Sequence, residues 1–153
     1  MTIKEVKKDL FTMPDDYALA HCISADFALG AGIAKEFDKR FNCRKRLFDL
    51  EDGDNDVGYW DNGTHGYCIP IGICENPVIL NLVTKRNYWN KPTLITIKNA
   101  LIKMKKDCEI LDIYKLAMPR IGCGLDKQNW HDVKSLIKEV FGDTDIEIVV
   151  CVK

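Results

Sequence analysis

Two stretches of this chain join an apolar lead-in to closely spaced glycines, and one of them ends on an acid. In Leu116-Ala117-Met118-Pro119-Arg120-Ile121-Gly122-Cys123-Gly124-Leu125-Asp126, an apolar run from Leu111 to Met118 enters a Gly-X-Gly turn and closes on a carboxylate. Glycines at such a turn let backbone N–H groups approach a ligand, and a helix N-terminus behind them favours an anion. The arrangement suits a phosphate or diphosphate with one acid beside it. It is not a P-loop, because the Gly-Lys-Ser/Thr ending is missing. In the second stretch, Ala18-Leu19-Ala20-His21-Cys22-Ile23-Ser24 reads as a buried strand that runs into Gly30-Ala31-Gly32-Ile33-Ala34. Two such loops in one small chain would let a diphosphate be gripped from both sides.

These loops need strands before them and helices behind. Ile3 to Val6 and Ala18 to Ile23 read as strands, and a helical pattern continues through Lys35 to Phe41, with a second helix or turn over 44–50. Tyr67 to Ile73 and Val78 to Val83 are β-rich runs joined by a Cys74-Glu75-Asn76-Pro77 turn, which predicts a hairpin. Thr93 is a good N-cap for a helix reaching about Asp107, with Ile97, Leu101 and Met104 at helical spacing. A strand is expected up to Met118, a helix from Trp130 to Phe141 stopped by Gly142, and a last strand over Ile146 to Val152. Strands alternating with helices, plus one hairpin, imply an α/β fold with a mixed sheet between helix layers.

With 153 residues the chain should form a single domain over 1–153 with a substantial core. The formal net charge of -1 argues against a general electrostatic affinity for nucleic acid. Lys39, Arg40, Arg44, Lys45 and Arg46 form a local basic run, which reads first as a solvated helix face. The 7 cysteines are odd in number and form no Cys-X-X-Cys pair, so neither a disulfide framework nor a zinc site is indicated. They suit a reducing compartment, cytosolic or nuclear. The polar segment from Met1 to Asp9 gives no signal peptide or membrane anchor. Glu51 to Gly66 is rich in Asp, Asn and Gly and reads as a solvent loop. Its Asp52, Asp54, Asp56 and Asp61 lack the closing bidentate Glu of a calcium loop. No metal site is expected. His21, inside an apolar strand, reads as a core histidine.

Taken together, the motifs resemble the macro domain, an α/β/α module that binds ADP-ribose. The resemblance spans nearly the whole chain. It runs from Lys7-Lys8-Asp9-Leu10-Phe11 through Ala20-His21-Cys22-Ile23-Ser24, Gly30-Ala31-Gly32-Ile33-Ala34 and Pro119 to Asp126, and ends at Thr144-Asp145-Ile146. Val83-Thr84-Lys85-Arg86 and Gly124-Leu125-Asp126 are similar to the terminal ADP-ribose protein glycohydrolase branch. Antitoxins that remove ADP-ribose from DNA share a similar Thr-Lys-Arg segment. Lys8 departs from the family's usual Gly at that turn. The Asn pair and Gly-Gly-Gly run of the other hydrolytic branch are missing.

The resemblance implies a three-layer α/β/α domain with a mixed, mostly parallel six-stranded sheet, acting as a monomer without cofactor. It implies that Lys85 attacks C1″ of the distal ribose and expels a linked carboxylate, with Asp126 as general acid/base. Attack needs a neutral amine, which desolvation or a nearby positive charge from Arg86 or Arg120 would favour. By the same resemblance Asp9 and Leu10 would hold adenine, and Ser24 would sit near the adenosine side or the phosphates. Gly30, Ala31, Gly32 and Ile33 would line one side of the diphosphate and distal ribose. Arg120, Ile121, Gly122, Cys123, Gly124 and Leu125 would wrap the other, with Cys123 a small packed residue rather than a nucleophile. Tyr88 and Trp89 would either cover the ribose or pack under the following helix. The implied partners are ADP-ribose and mono-ADP-ribosylated protein, with O-acetyl-ADP-ribose as a further ester substrate. Ser-linked adducts fit poorly, because an alkoxide leaves far less readily than a carboxylate. A non-catalytic ADP-ribose reader, the same chemistry on ADP-ribosylated nucleic acid, and an ADP-ribose 1″-phosphate phosphatase are the alternatives.

Overall fold

A computed structural model describes residues 1–50, 60, 61, 63 and 65–153. The segment Glu51 to Gly66, read as a solvent loop, lies largely outside the described residues. Six strands are described: β1 (Thr2–Lys7), β2 (Ala18–Ser24), β3 (Tyr67–Ile71), β4 (Ile79–Lys85), β5 (Lys115–Met118) and β6 (Glu147–Val152). The helices are α1 (Gly32–Phe41), α2 (Cys43–Leu50), α3 (Leu94–Ile110) and α4 (Trp130–Phe141). The strands form one sheet in the order β1-β6-β5-β2-β4-β3. All neighbours are parallel except the β3–β4 hairpin at the edge. The expected mixed, mostly parallel six-stranded sheet is observed.

Alternation along the central strands builds two cores. Ala18, Ala20, Leu80, Leu82, Leu116, Met118, Ile148 and Val150 face α3 and α4. Leu19, Ile23, Ile79, Val83, Ala117 and Val149 face Phe37 of α1 and Leu47 of α2. Both faces of β2, β4, β5 and β6 are therefore apolar, as parallel strands between helix layers require.

One boundary differs from expectation, the end of α3, expected at about Asp107. β5 occupies only the last part of the apolar run from Leu111, beginning at Lys115. α3 instead runs on to Ile110, and Asp112 takes a left-handed φ of 54° in the turn that follows. Apolar spacing cannot separate a helix end from a buried strand start here, because Leu111 and Ile113 are apolar in either reading. The caps were more legible. Thr93 accepts from Thr96 N–H in a capping box, and Asn129 accepts from Asp132 N–H ahead of α4.

The sheet order also fixes where a ligand can sit. From β2 the chain passes through α1, α2 and β3 to β4 on one side, whereas β5 passes through α4 to β6 on the other. The loops after β2 and β5 therefore diverge, leaving a crevice at the carboxyl ends of the strands. Both glycine loops flank it.

Candidate active site

The crevice is a cleft of about 730 Å³ whose walls include Ser24, Gly30, Ala31, Gly32 and Ile33 from the first loop. Lys85 and Tyr88 come from β4 and the segment after it, and Arg120, Ile121, Gly124, Leu125 and Asp126 from the second loop. A neighbouring cleft of about 400 Å³ holds Asp9 and Leu10. The two share Gly32, Ile33, Pro119 and Arg120, so they form one elongated groove with Asp9 at one end and Lys85 at the other.

Lys85 is aimed by an irregularity in the sheet. Ile23 pairs with Val83, but Ser24 pairs with Lys85, so β4 carries one extra residue, Thr84, at the bulge. Such bulges re-aim a side chain near a site. Ala25 N–H then donates to Lys85 O at 2.9 Å and fixes the strand end. Lys85 Nζ lies 2.7 Å from Asp126 Oδ1, with the two side chains only 14% and 13% exposed. That pair joins the end of β4 to the second glycine loop and is recessed in the cleft.

The two loops differ in the backbone N–H groups they offer to the cleft. Ala31 opens α1 with no side-chain cap, unlike Thr93 and Asn129 before α3 and α4. The first N–H groups of α1, at Gly32, Ile33 and Ala34, therefore line the cleft unserved by a capping side chain. The second loop does not present its following helix, because α4 is capped by Asn129 and does not line the cleft. It curls on itself instead, with Cys123 N–H to Arg120 O, Lys127 N–H to Gly124 O and Gln128 N–H to Gly122 O.

Gly122, at φ 74°, lies behind the wall, where an added Cβ would meet Ile97 at 3.1 Å. Cys123 is also absent from the lining of both clefts and turns its Sγ to Ile121 O at 3.3 Å. Gly124 differs. A Cβ there would meet no protein atom within 4 Å, so the protein itself gives no packing reason for that glycine.

Asp26 was not singled out in the sequence, where it lies between the second strand and the first glycine turn. Its Oδ1 accepts Ser24 Oγ–H at 2.5 Å and Ala28 N–H at 3.1 Å, and its Oδ2 accepts Tyr88 N–H at 3.0 Å. This carboxylate ties the first loop to the segment after Lys85. An Asp two residues past a strand, taken as an Asx turn, was the available signal. Phe27 and Leu29, with φ of 53° and 43°, are held in left-handed backbone within the same loop.

The supposed sources of extra positive charge are already paired. Arg86 makes two contacts to Asp61, at 2.8 and 3.0 Å. Arg120 reaches Glu5 at 2.9 Å. Lys134 and Arg120, with Trp130 Nε1–H, hold the Glu5 carboxyl down at about 2. Each guanidinium thus sits beside its own counter-charge, which cancels much of its field at the Lys85 amine. The cleft thiol Cys22 is pushed up to about 12 by burial first and by Asp126 next, which keeps it protonated and poorly nucleophilic. Burial also raises Cys123.

Asp9 accepts Phe11 N–H through Oδ1 at 3.0 Å, and among the described residues its Oδ2 has no other partner. The basic run on α1 and α2 is largely committed within the protein. Arg46 pairs with Glu75, Lys45 with Asp49 and Arg40 with Glu36, while Arg44 donates to Phe27 O. Tyr88 and Trp89 are 63% and 65% exposed, so they do not pack under α3. Among the described residues no helix is long and apolar enough to cross a membrane.

No family model matches the chain. Over 148 residues it is 38% identical to the human ADP-ribose glycohydrolase OARD1, covering 97% of this chain and 90% of that protein. Among solved structures, the macrodomain of Mycobacterium tuberculosis DarG superposes with a TM-score of 0.80 at 24% identity, covering 99% of this chain and 98% of that one. Thermosipho africanus DarTG in complex with ADP-ribose superposes with a TM-score of 0.74 at 18% identity, over 99% of this chain and 42% of that one. Fold, groove and sequence agree: this chain belongs to the macrodomain family, with ADP-ribose glycohydrolases among its relatives.

Proposed function

We propose that the protein is an ADP-ribose glycohydrolase that releases mono-ADP-ribose from acidic side chains and from small esters such as O-acetyl-ADP-ribose. The observation that carries this reading is the recessed Lys85–Asp126 pair at 2.7 Å, at the end of the groove away from Asp9. The groove accommodates an extended nucleotide sugar. Adenine lies by Asp9 and Leu10, with the Asp9 Oδ2 accepting its exocyclic amine. The diphosphate lies across the uncapped start of α1 and against Gly124. The distal ribose meets Lys85.

In the reaction, Asp126 takes a proton from the Lys85 ammonium as substrate covers the pair. The Nζ lone pair forms a bond to C1″, and the C1″–O bond breaks with its electrons leaving on the carboxylate, which takes the proton held by Asp126 and leaves that residue ionised again. Water then attacks C1″ of the lysyl adduct, and the Nζ–C1″ bond breaks. The amine recovers a proton through Asp126, which accepts one from the water. One water is consumed and free ADP-ribose is released.

The test is release of labelled ADP-ribose from a glutamate-modified protein by wild type and Lys85→Ala side by side. Release by wild type alone is expected, with ADP-ribose binding kept by the variant. Equal release by both would remove the lysine step. Binding without release by either would leave a reader.

A further inference from the structure

The segment 86–92 bridges the end of β4 and the cap of α3, and it is fastened on both sides of the catalytic pair. Asp26 accepts Tyr88 N–H at 3.0 Å, and Lys91 Nζ donates to Leu125 O at 2.9 Å. Asn87 and Asn90 close the turn between them, Asn90 Oδ1 accepting Asn87 N–H at 2.8 Å and Asn87 O accepting Asn90 N–H at 3.0 Å. A strap so firmly tied has the means to tuck its large side chains inward. It does the reverse. Tyr88 is 63% exposed, Trp89 65% and Leu125 63%, with the two aromatic rings edge to face at 4.9 Å.

Tyr88 and Leu125 line the same cleft as Lys85 and Asp126, whereas Trp89 stands outside it. The apolar surface therefore continues outward from the end of the groove where a leaving group must emerge. Aromatic side chains held on a fixed backbone lose little freedom on binding, which makes them effective anchors. The nearby cations do not suit a polyanion. Lys85 is paired with Asp126 and Arg86 with Asp61, and Lys91 is tied to a carbonyl, which among the described residues beside this surface leaves Lys127 on the second loop. A nucleic acid strand needs several unpaired cations to neutralise its phosphates.

Resting on the glycohydrolase reading, we infer that Tyr88, Trp89 and Leu125 form the docking surface for the polypeptide that carries the ADP-ribose. The strap then selects a protein conjugate over a small ester through contacts beyond the bond that breaks.

Trp89→Ala tests this, because Trp89 lies outside the cleft and its exposure leaves folding undisturbed. On a glutamate-modified protein, kcat/KM should fall roughly tenfold, in line with loss of an interface anchor. On O-acetyl-ADP-ribose it should be unchanged. Equal kcat/KM on the protein for both forms would overturn the inference, as would an equal loss on both substrates. A loss confined to an ADP-ribosylated oligonucleotide would also overturn it and transfer the surface to nucleic acid. Should wild type release ADP-ribose from neither substrate, the hydrolase reading fails by itself. The docking surface is then read from affinity. Trp89→Ala should weaken binding of an ADP-ribosylated peptide while sparing free ADP-ribose, and equal affinities of wild type and variant for that peptide would overturn it.

Discussion

Acid should loosen this protein through one residue, His21. Its side chain is wholly buried in β2, with Nε2 2.6 Å from Asn81 Oδ1. Asn81 Nδ2 donates to Ile69 O at 2.9 Å, which fixes the amide and makes Nε2 the protonated ring nitrogen. Nδ1 is then a bare lone pair with no hydrogen-bond partner, and the ring stacks on Phe37 at 3.8 Å. A second proton would have to sit on Nδ1 in apolar surroundings. Burial accordingly lowers the His21 pKa from 6.5 to about 4, against a smaller opposite effect from Asn81.

The sign follows from proton uptake. Above pH 6.5 both folded and unfolded chains hold a neutral His21, and the full stability is present. Between about pH 6.5 and 4 the unfolded chain takes up a proton that the folded chain refuses, so stability falls as pH falls. Each pKa unit corresponds to about 1.4 kcal/mol, giving a total loss of about 3 kcal/mol once pH 4 is reached. That is a large share of the ~5–15 kcal/mol typical of a domain. Urea unfolding midpoints measured from neutral pH down to pH 5 would follow it, with His21→Gln as the control that keeps a donor toward Asn81. His65 and His131 are exposed, so the difference between the two slopes isolates His21. A flat wild-type profile over this range, or the same slope in His21→Gln, would refute the reasoning.

Two further outcomes bear on the groove. Gly124→Ala should leave the urea midpoint almost unchanged, since the new Cβ has no protein neighbour within 4 Å, yet weaken ADP-ribose binding at least about tenfold by titration calorimetry if the diphosphate closes on that loop. Asp26→Ala removes the acceptor for Ser24, Ala28 and Tyr88; hydrogen exchange at the Tyr88 amide should accelerate, and kcat should fall more than ADP-ribose affinity, because the loss concerns the strap beyond Lys85.

Much of the framework could be read before any coordinates. Gly142 ends α4 and Thr93 starts α3, because helix ends are local chemistry. The three-layer order followed from strands and helices alternating. What escaped were features set by tertiary contact. Asp26 drew no attention in the stretch leading to the first glycine turn, and only the approach of Tyr88 from a distant segment gives its carboxylate a structural task. The extra residue at Thr84 is invisible in sequence, since a bulge exists only relative to the register of the partner strand. Arg86 and Arg120 looked available because Asp61 and Glu5 lie far from them along the chain. Lys85 itself was legible only by family resemblance. From spacing alone, a lysine at a strand end is a solvated charge.

The pairings of Lys85 and Arg120 reshape the electrostatics of the groove. Arg120 lies where the two clefts meet and Lys85 at the end away from Asp9, and each is matched by a carboxylate, so neither offers a whole unpaired charge to an anionic ligand. The unpaired features at the centre are dipoles: the uncapped start of α1 and the open face at Gly124. Backbone N–H groups fixed by the fold need no reorganisation to meet a diphosphate, and they act over one or two bond lengths rather than at long range. Under the proposed binding mode, such a groove would recognise where the phosphates are more than how much charge they carry. It also spares Lys85 from serving as a phosphate clamp. The lysine is left facing Asp126, a single proton transfer away from the neutral amine that the proposed attack on C1″ requires.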